Sequence, residues 1–553
     1  MHRSVFYSIL ALVIVACKKG GSDPVPPEPP AMFALSTVKV DGISSGTNYV
    51  NVKFNPVIRA SFGSVINRSS VSGSVTFKDR NGATISFATT YENNDSTIVI
   101  TPSAALSPLT KYNILFSTGL QSKNGGKLNS DVTISLFTHL DSTRKFPAIT
   151  DDELLTLVQQ QTFKYFWDFG HPVSGLARER NSSGDIVTSG GSGFGIMAII
   201  TGIHRNFITR AQGLSRMQTI VGFLKNTAQT FKGAYPHWLN GNTGQVIPFS
   251  TKDNGADLVE TSYLIQGLLC ARQYFNGSDA SEAALRNDIN FIWNRVEWDF
   301  FRKNNENVLY WHWSPDYQWD MNMPVRGWNE ALITYVLAAS SASHPIPKIV
   351  YDNGWAQNGA IKNNNSYYGY QLPLGPAYGG PLFFEHYSFL GINPNGLSDV
   401  YANYTTQTHN HTLINYNHCK TNPNHFYGYS DSVWGLTASD IPNGYTASSP
   451  ANDIGVIAPT AAISSFPYTP LESMKALKFF YYVLGDKIWK QYGFVDAFSL
   501  NDPWFADSFL AIDQGPVIIM IENHRSGLLW NLFTSCPEVK SGMLGLGFTA
   551  PYL

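Results

Sequence analysis

From residue 149 onward two kinds of helical segment take turns along the chain, and this alternation constrains the fold more than any other feature. One kind is amphipathic: DDELLTLVQQQTFKYFWDF (151–169), TRAQGLSRMQTIVGFLKNTAQTF (209–231), SEAALRNDINFIWNRVEW (281–298), DVYANYTTQTHNHTLINY (399–416) and LESMKALKFFYYVLG (471–485). The other is apolar on nearly every side and rich in Gly and Ala: GSGFGIMAIITGIH (191–204), GADLVETSYLIQGLL (255–269), GWNEALITYVLAAS (327–340), GPLFFEHYSFLGI (380–392), DIGVIAPTAAISSF (453–466) and QGPVIIMIENHRSGLLW (514–530). A helix that is apolar all round has to be covered all round, whereas one with a polar face belongs at the surface. Six inner helices alternating with outer ones predict an (α/α)6 toroid over 148–553, with a short sixth outer partner near 348–357. Links from inner to outer helices are mostly short, and the reverse links are long: 170–190, 232–254, 299–326, 358–379, 417–452 and 486–513. Inner helices run parallel in such a toroid, so the long loops should gather at one rim, beside the inner helices' N-termini. Long loops on a rigid scaffold are the usual seat of function.

The N-terminal part reads differently. His2 and Arg3 precede an apolar run from Val5 to Ala16, shorter than the about 20 residues a spanning helix needs. Residues 1–17 therefore read as an export signal ending in Ile14-Val15-Ala16-Cys17, which resembles a bacterial lipobox and implies lipidation of Cys17. That places the protein in a bacterial cell envelope, periplasmic or outward-facing, held to the membrane by a lipid anchor. A Pro-rich linker follows over 18–30. Over 31–140, short alternating runs such as NYVNVKF (48–54), SVTFKD (74–79), TIVITP (97–102) and KYNILFS (111–117) are separated by Gly, Asn and Ser turns. This density of period-2 strands predicts a β-sandwich, and the segment resembles bacterial Ig-like modules. It reads as a spacer, since no cluster of ionisable residues stands out there, with glycan binding as the alternative. Cys270, Cys419 and Cys536 are scattered, without metal-type spacing or a disulfide framework.

Charged residues make up 14% of the chain, against roughly 25% in typical soluble proteins, and aromatic residues also reach 14%. With a net charge of −2 and no long basic run, nucleic acid is excluded as a partner in favour of a neutral ligand that stacks on aromatic faces, such as a glycan. The candidate chemistry lies where the long loops meet the inner helices. Asp257 and Glu260 are three apart on one helix, Glu330 opens another in RGWNEAL, Glu385 and His386 open a third, Asp453 a fourth, and Asp513 precedes the last. The loops carry Trp238, Trp311, His312, Trp313, Trp319, Arg326, Trp434 and Trp504. Glycoside hydrolysis needs two carboxyl groups in opposite protonation states, and a ring of acids among aromatic surfaces supplies both. Each acid can equally cap its helix, Arg326 can pair with a carboxylate, and His386 can be a wall histidine. No HExxH or DxDxDG pattern is present, so neither a metal nor a cofactor is expected.

Five motifs, FKYFWDF (163–169), SGFGIMAIITGIHR (192–205), GADLVETSYLIQGLL (255–269), RGWNEALITYVLAASS (326–341) and AIDQGPVIIMIENHRSGLLW (511–530), resemble the bacterial endo-β-1,2-glucanases of glycoside hydrolase family 144, also described as glucoamylase-like. The resemblance covers roughly 148–553. It implies an (α/α)6 fold and inverting, cofactor-free hydrolysis of β-1,2-glucan to sophorooligosaccharides; a monomer is expected. By motif and spacing it assigns catalytic carboxylates to Asp257, Glu260 and Glu330, and it aligns Asp513 with the acid that activates water. The expected roles are Glu330 as general acid, Asp513 as general base, and Asp257 and Glu260 as holders of sugar hydroxyls, although the sequence leaves Glu330 and Asp513 exchangeable. Expected substrate-binding residues are Arg326, Trp238, Trp313, Trp434, His386, Trp504 and Asp453. Exo-acting members that release sophorose share these motifs. A different glycosidase on the same scaffold and a non-catalytic glycan-binding lipoprotein are the rival readings.

Overall fold

The computed structural model describes residues 28–553; the export signal, Cys17 and most of the Pro-rich linker lie outside the described residues. The chain divides at Asp141/Ser142 into two compact units.

The first unit is a sandwich of two four-stranded sheets. One has the order Leu35–Val40, Ile58–Phe62, Thr97–Pro102, Phe87–Glu92, all antiparallel. The other runs Asn48–Val52, Val132–Thr138, Lys111–Phe116, Val75–Asp79, with its first pair parallel. Alternation places Ile58, Ala60, Phe77, Ile98, Ile100, Ile114, Phe116 and Ile134 between the sheets, where they are fully enclosed.

The second unit is helical. Its amphipathic helices start with local capping chemistry: Thr150 with Glu153 and Thr209 with Gln212 form capping boxes, and Asp279 and Asn403 cap Ala280–Asn294 and Tyr404–Thr421. The buried helices form a different set. Ser189–His204 packs against both Leu258–Tyr274 and Ala511–Ser526; Leu258–Tyr274 touches Leu332–Ser340, and Pro459–Ile463 touches Ala511–Ser526. The first of these contacts depends on glycine. A Cβ on Gly193 would lie 2.1 Å from the Tyr263 carbonyl oxygen, and one on Gly267 would lie 2.3 Å from that of Gly193. Absent side chains let the two backbones approach, which accounts for the Gly-rich composition of these segments.

Three of the predicted inner helices are shorter than the sequence pattern indicates. The segment 327–340 is helical only over Leu332–Ser340, and 453–466 only over Pro459–Ile463, where Pro459 sits at the first turn. The segment 380–392 holds two 3-10 turns, Leu382–Glu385 and Ser388–Leu390, instead of an α-helix. Its buried backbone is satisfied by side chains: Gln266 and Asn523 donate to the carbonyls of Tyr387 and Leu390, Trp530 Nε1 to Phe389, and Tyr468 to Glu385. The predicted surface helix 399–416 is observed as Tyr404–Thr421, and its polar residues Gln407, His411, Asn415 and His418 point inward. His411 and Gln407 hold Glu385, so these side chains serve the irregular neighbour instead of solvent. The last predicted inner helix stops at Gly527, in the left-handed region (φ +70°), and two more helices follow, Leu528–Thr534 and Pro537–Leu546.

Candidate active site

The N-termini of three buried helices converge on a cleft of about 410 Å3. Thr188 and Leu510, the N-caps of Ser189–His204 and Ala511–Ser526, line it directly. So does His237, the hydrogen-bond partner of Asp257, which caps Leu258–Tyr274. Trp238, Phe249, Tyr445 and Ile512 supply the apolar wall, and Glu179 and Arg180 its charges. Short sheets in the long loops hold these groups in register. Trp238 pairs with Thr188 on one side and Ile247 on the other, and Asp257 lies opposite His312. Phe249 stacks on the His237 ring at 4.3 Å and meets Trp238 edge-on at 4.8 Å. A cleft of this volume, with aromatic and aliphatic walls and a few polar groups, suits a neutral ring-shaped ligand.

On one side stands a linked acid cluster. Asp257 is fully enclosed; it accepts from the Glu260 backbone N–H at 2.9 Å and contacts His237 Nδ1 at 3.1 Å. Burial would raise its pKa, but the bond to His237 and the nearby imidazoles lower it below the ordinary carboxylate value. Burial likewise opposes charge on His237, yet Glu260, Asp257 and Asp253 outweigh it and bring the imidazole to about 9. Glu260 Oε2 accepts from the Gly190 N–H at 2.9 Å and the Thr188 hydroxyl at 3.3 Å, thereby using a helix N-terminus as its anchor. Glu330 lies two residues before its helix begins, with its carbonyl held by Ser388 and Tyr263 hydroxyls. Loss of water around the Glu330 carboxyl, with the charges of Glu260 and Asp257, pushes its pKa up to about 7. His237, Asp253 and Asp257 bring donor atoms within 4.8 Å of one another, near enough to hold a cation. An imidazolium at His237 offsets part of that negative charge.

A second acid group borders the cleft through Leu510, Ile512, Tyr445 and Arg180. Asp513 sits in the first turn of Ala511–Ser526 and does not cap it. Its carboxyl contacts that of Asp496, and burial followed by this neighbour drives the Asp513 pKa far up, while burial brings Asp496 to about 6. Asp440 donates its backbone N–H to Asp496 at 2.6 Å and binds Arg180 at 3.2 Å; Arg180 also grips Glu179 at 3.0 Å.

Comparison with known proteins then decides the family. The chain is 53% identical to the endo-β-1,2-glucanase of Chitinophaga pinensis, solved with sophorotriose and glucose; the match covers 73% of this chain and 100% of that one, with a TM-score of 0.72. The chain belongs to glycoside hydrolase family 144. The Glycoamylase family matches residues 322–537, and the bacterial Ig-like family Big_5 matches 36–139. A β-1,2-glucanase structure from Parabacteroides distasonis is 36% identical with a TM-score of 0.71, covering 94% of this chain and 73% of that one. The exo β-1,2-glucooligosaccharide sophorohydrolase of the same species is 45% identical over 417 residues, 71% of this chain. The chain spans 58% of the length of that curated relative.

The sequence-predicted residues divide under this geometry. Trp238 lines the cleft; Asp257 reaches it through its bond to His237, Glu260 through its bond to Thr188 and Asp513 as the neighbour of Ile512, while Glu330 joins the acid cluster through the charges of Glu260 and Asp257. Asp257 has no accessible surface; its carboxyl caps the helix and contacts His237. Trp434 has no accessible surface and donates its indole N–H to the Glu472 carbonyl; a ring without a free face cannot stack on a sugar. His386 is buried against Ser465, and Asp453 is taken up by His418 and Tyr429. Arg326 lines a different hollow, with Glu306, Asn353 and Gln357. Trp313 packs on Phe300 and Phe231, and Trp504 lies half-buried on a short hairpin with Phe498–Ser499. Glu179, Arg180, His237, Phe249, Asp440, Tyr445 and Asp496 were not singled out by sequence reasoning. All lie in long loops or the short strands those loops carry, without helical periodicity to mark them.

Proposed function

We propose that the chain hydrolyses β-1,2-glucan to sophorooligosaccharides on an (α/α)6 toroid, by inversion. The observation that carries this reading is a cleft with aromatic walls and buried acid groups beside it, on a chain 53% identical to a β-1,2-glucanase over that enzyme's whole length. Glu330, half-protonated near neutrality, gives its proton to the leaving oxygen, directly or through a substrate hydroxyl, as the C1–O bond breaks. A water attacks from the opposite face and loses its proton to Asp513, so the released reducing end is the α-anomer. Glu260 orients sugar hydroxyls, and Trp238 with Phe249 supports a ring in the cleft. The sophorohydrolase relative supports a second mode, exo release of sophorose on the same site. Lipidation at Cys17 would keep the enzyme on the cell-envelope membrane.

Linear β-1,2-glucan is the test. Early products of mixed length support endo cleavage, sophorose alone supports the exo mode, and binding without turnover supports a glycan-binding protein. A β-anomeric product in the proton NMR spectrum overturns inversion.

A further inference from the structure

Asp496 and Asp513 are 2% and 3% exposed, and their carboxyl groups are in hydrogen-bond contact. One oxygen of Asp496, Oδ2, accepts the Asp440 N–H at 2.6 Å. The remaining Asp496 Oδ1 and one Asp513 oxygen, Oδ2, are buried and have no other donor. Both residues line one cavity of about 10 Å3, shared with Thr162, Thr460 and Gln514. Arg180 is the cation facing the pair, and its guanidinium is spent on Glu179 and Asp440. The other ionisable groups facing the pair are Asp440, Tyr445, Tyr387 and Tyr165, none of which brings positive charge. Two ionised carboxylates in contact at such a site repel strongly. One proton between them converts that repulsion into a short O–H···O bond and supplies both orphan oxygens at once.

We propose that Asp496 is a positioning residue that holds one proton against Asp513, so that the two aspartates act as a single monoanionic unit. The inference rests on the reading of Asp513 as the general base. The proton is shared between Asp496 Oδ1 and Asp513 Oδ2, which leaves Asp513 Oδ1 to receive the proton of the attacking water. In the hydrolytic step the water O–H breaks, a new C1–O bond forms and the glycosidic C1–O bond breaks. Glu330 loses one proton to the leaving oxygen and Asp513 gains one from the water. The shared proton stays between the two carboxyl groups throughout, and solvent exchange resets Asp513 and Glu330 after product leaves. The pair therefore titrates as a unit, with one low and one high macroscopic value.

The test is the pH profile of kcat/KM on β-1,2-glucan for the full chain, wild type against Asp496→Asn and Asp513→Asn. Asp496→Asn replaces the shared proton by a weaker amide donor, so the monoanionic state of Asp513 loses stabilisation. The acidic limb should move toward neutrality by about one pH unit, equivalent to tenfold in proton affinity, with KM within about twofold. An unmoved limb makes Asp496 merely structural and overturns the proposal; a limb displaced to lower pH shows that Asp496 was charged and overturns it as well. Near wild-type turnover in Asp513→Asn instead sinks the assignment of the base itself, which distinguishes the two failures. Should Asp496→Asn not fold, 13C carboxyl NMR of wild type and Asp513→Asn gives the same answer. Asp513→Asn must remove one aspartate titration and collapse a second from two steps to one; a second signal left unchanged overturns the pair.

Discussion

Glu330 offers the most direct quantitative check. Its carboxyl is raised from the ordinary 4.5 to about 7, first by burial and then by the charges of Glu260 and Asp257. A general acid works only while protonated. At pH 6 roughly nine-tenths of the enzyme carries that proton, at pH 7 about half and at pH 8 about a tenth, whereas an ordinary glutamate would retain it in fewer than about one molecule in a hundred at pH 7. The alkaline limb of kcat/KM should therefore fall about fivefold between pH 7 and pH 8 and steepen toward tenfold per unit beyond. Glu260→Gln removes one of the raising charges, so the limb should shift to lower pH. Glu330→Gln should lose about 10²–10⁴ in kcat at pH 7 with binding of sophorooligosaccharides retained. Stability has a matching sign: the raised pKa contributes stability that is complete below about 4.5 and lost as pH rises through about 7. Glu330→Gln should accordingly gain on wild type at pH 8 relative to pH 4, by at most about 3 kcal/mol. Reducing-end release across pH 5–9 and chemical denaturation at the two pH values are the measurements. A profile flat from pH 6 to 9, or one whose limb is unaffected by Glu260→Gln, would refute the reasoning.

Gly190→Ala places a Cβ 2.4 Å from Glu260 Oε2 and 2.8 Å from Tyr263, so it should cost about 1–3 kcal/mol of stability and lower kcat by displacing Glu260; Gly222→Ala, with nothing within 4 Å, should stabilise by about 0.5–1 kcal/mol and leave kinetics alone, both read by denaturation and turnover. Trp238→Ala should raise KM more than it lowers kcat, because it removes a cleft wall, whereas Trp434→Ala should destabilise the fold by about 3–5 kcal/mol through a core cavity; a KM effect from Trp434 in a stable protein would contradict its enclosure. Cys17→Ser should release the protein from the membrane fraction with activity intact, as measured by fractionation and turnover; unchanged membrane association would sink the lipobox reading.

Periodicity along one chain is enough to determine the division into a β-rich unit and a helical unit, because burial on one face or on all faces leaves a local record. The helix starts Thr150, Thr209 and Asp279 are legible for the same reason: their caps are made with residues three or fewer positions away. Glu330, Glu260 and Asp513 were legible because they are polar residues within otherwise apolar runs, and such residues demand an explanation. The helix predicted over 380–392 was not observed, since local apolarity says nothing of partners such as Gln266, Asn523 and Trp530 that satisfy an irregular backbone from more than a hundred residues away. Trp434 and Trp238 look alike in sequence, yet one is sealed and the other forms a wall, because exposure depends on what the rest of the chain places over each ring. Asp496 and Asp440 carry no sequence signal, for their significance is a charge placed beside Asp513 and Arg180 by separate loops. Sequence by itself determined the helical and strand periods, the caps and the polar exceptions, all of them short-range; only tertiary structure decided which of those exceptions gather beside the cleft and which loop residues meet them there, because burial and Coulomb interaction act through space between residues that the chain keeps far apart.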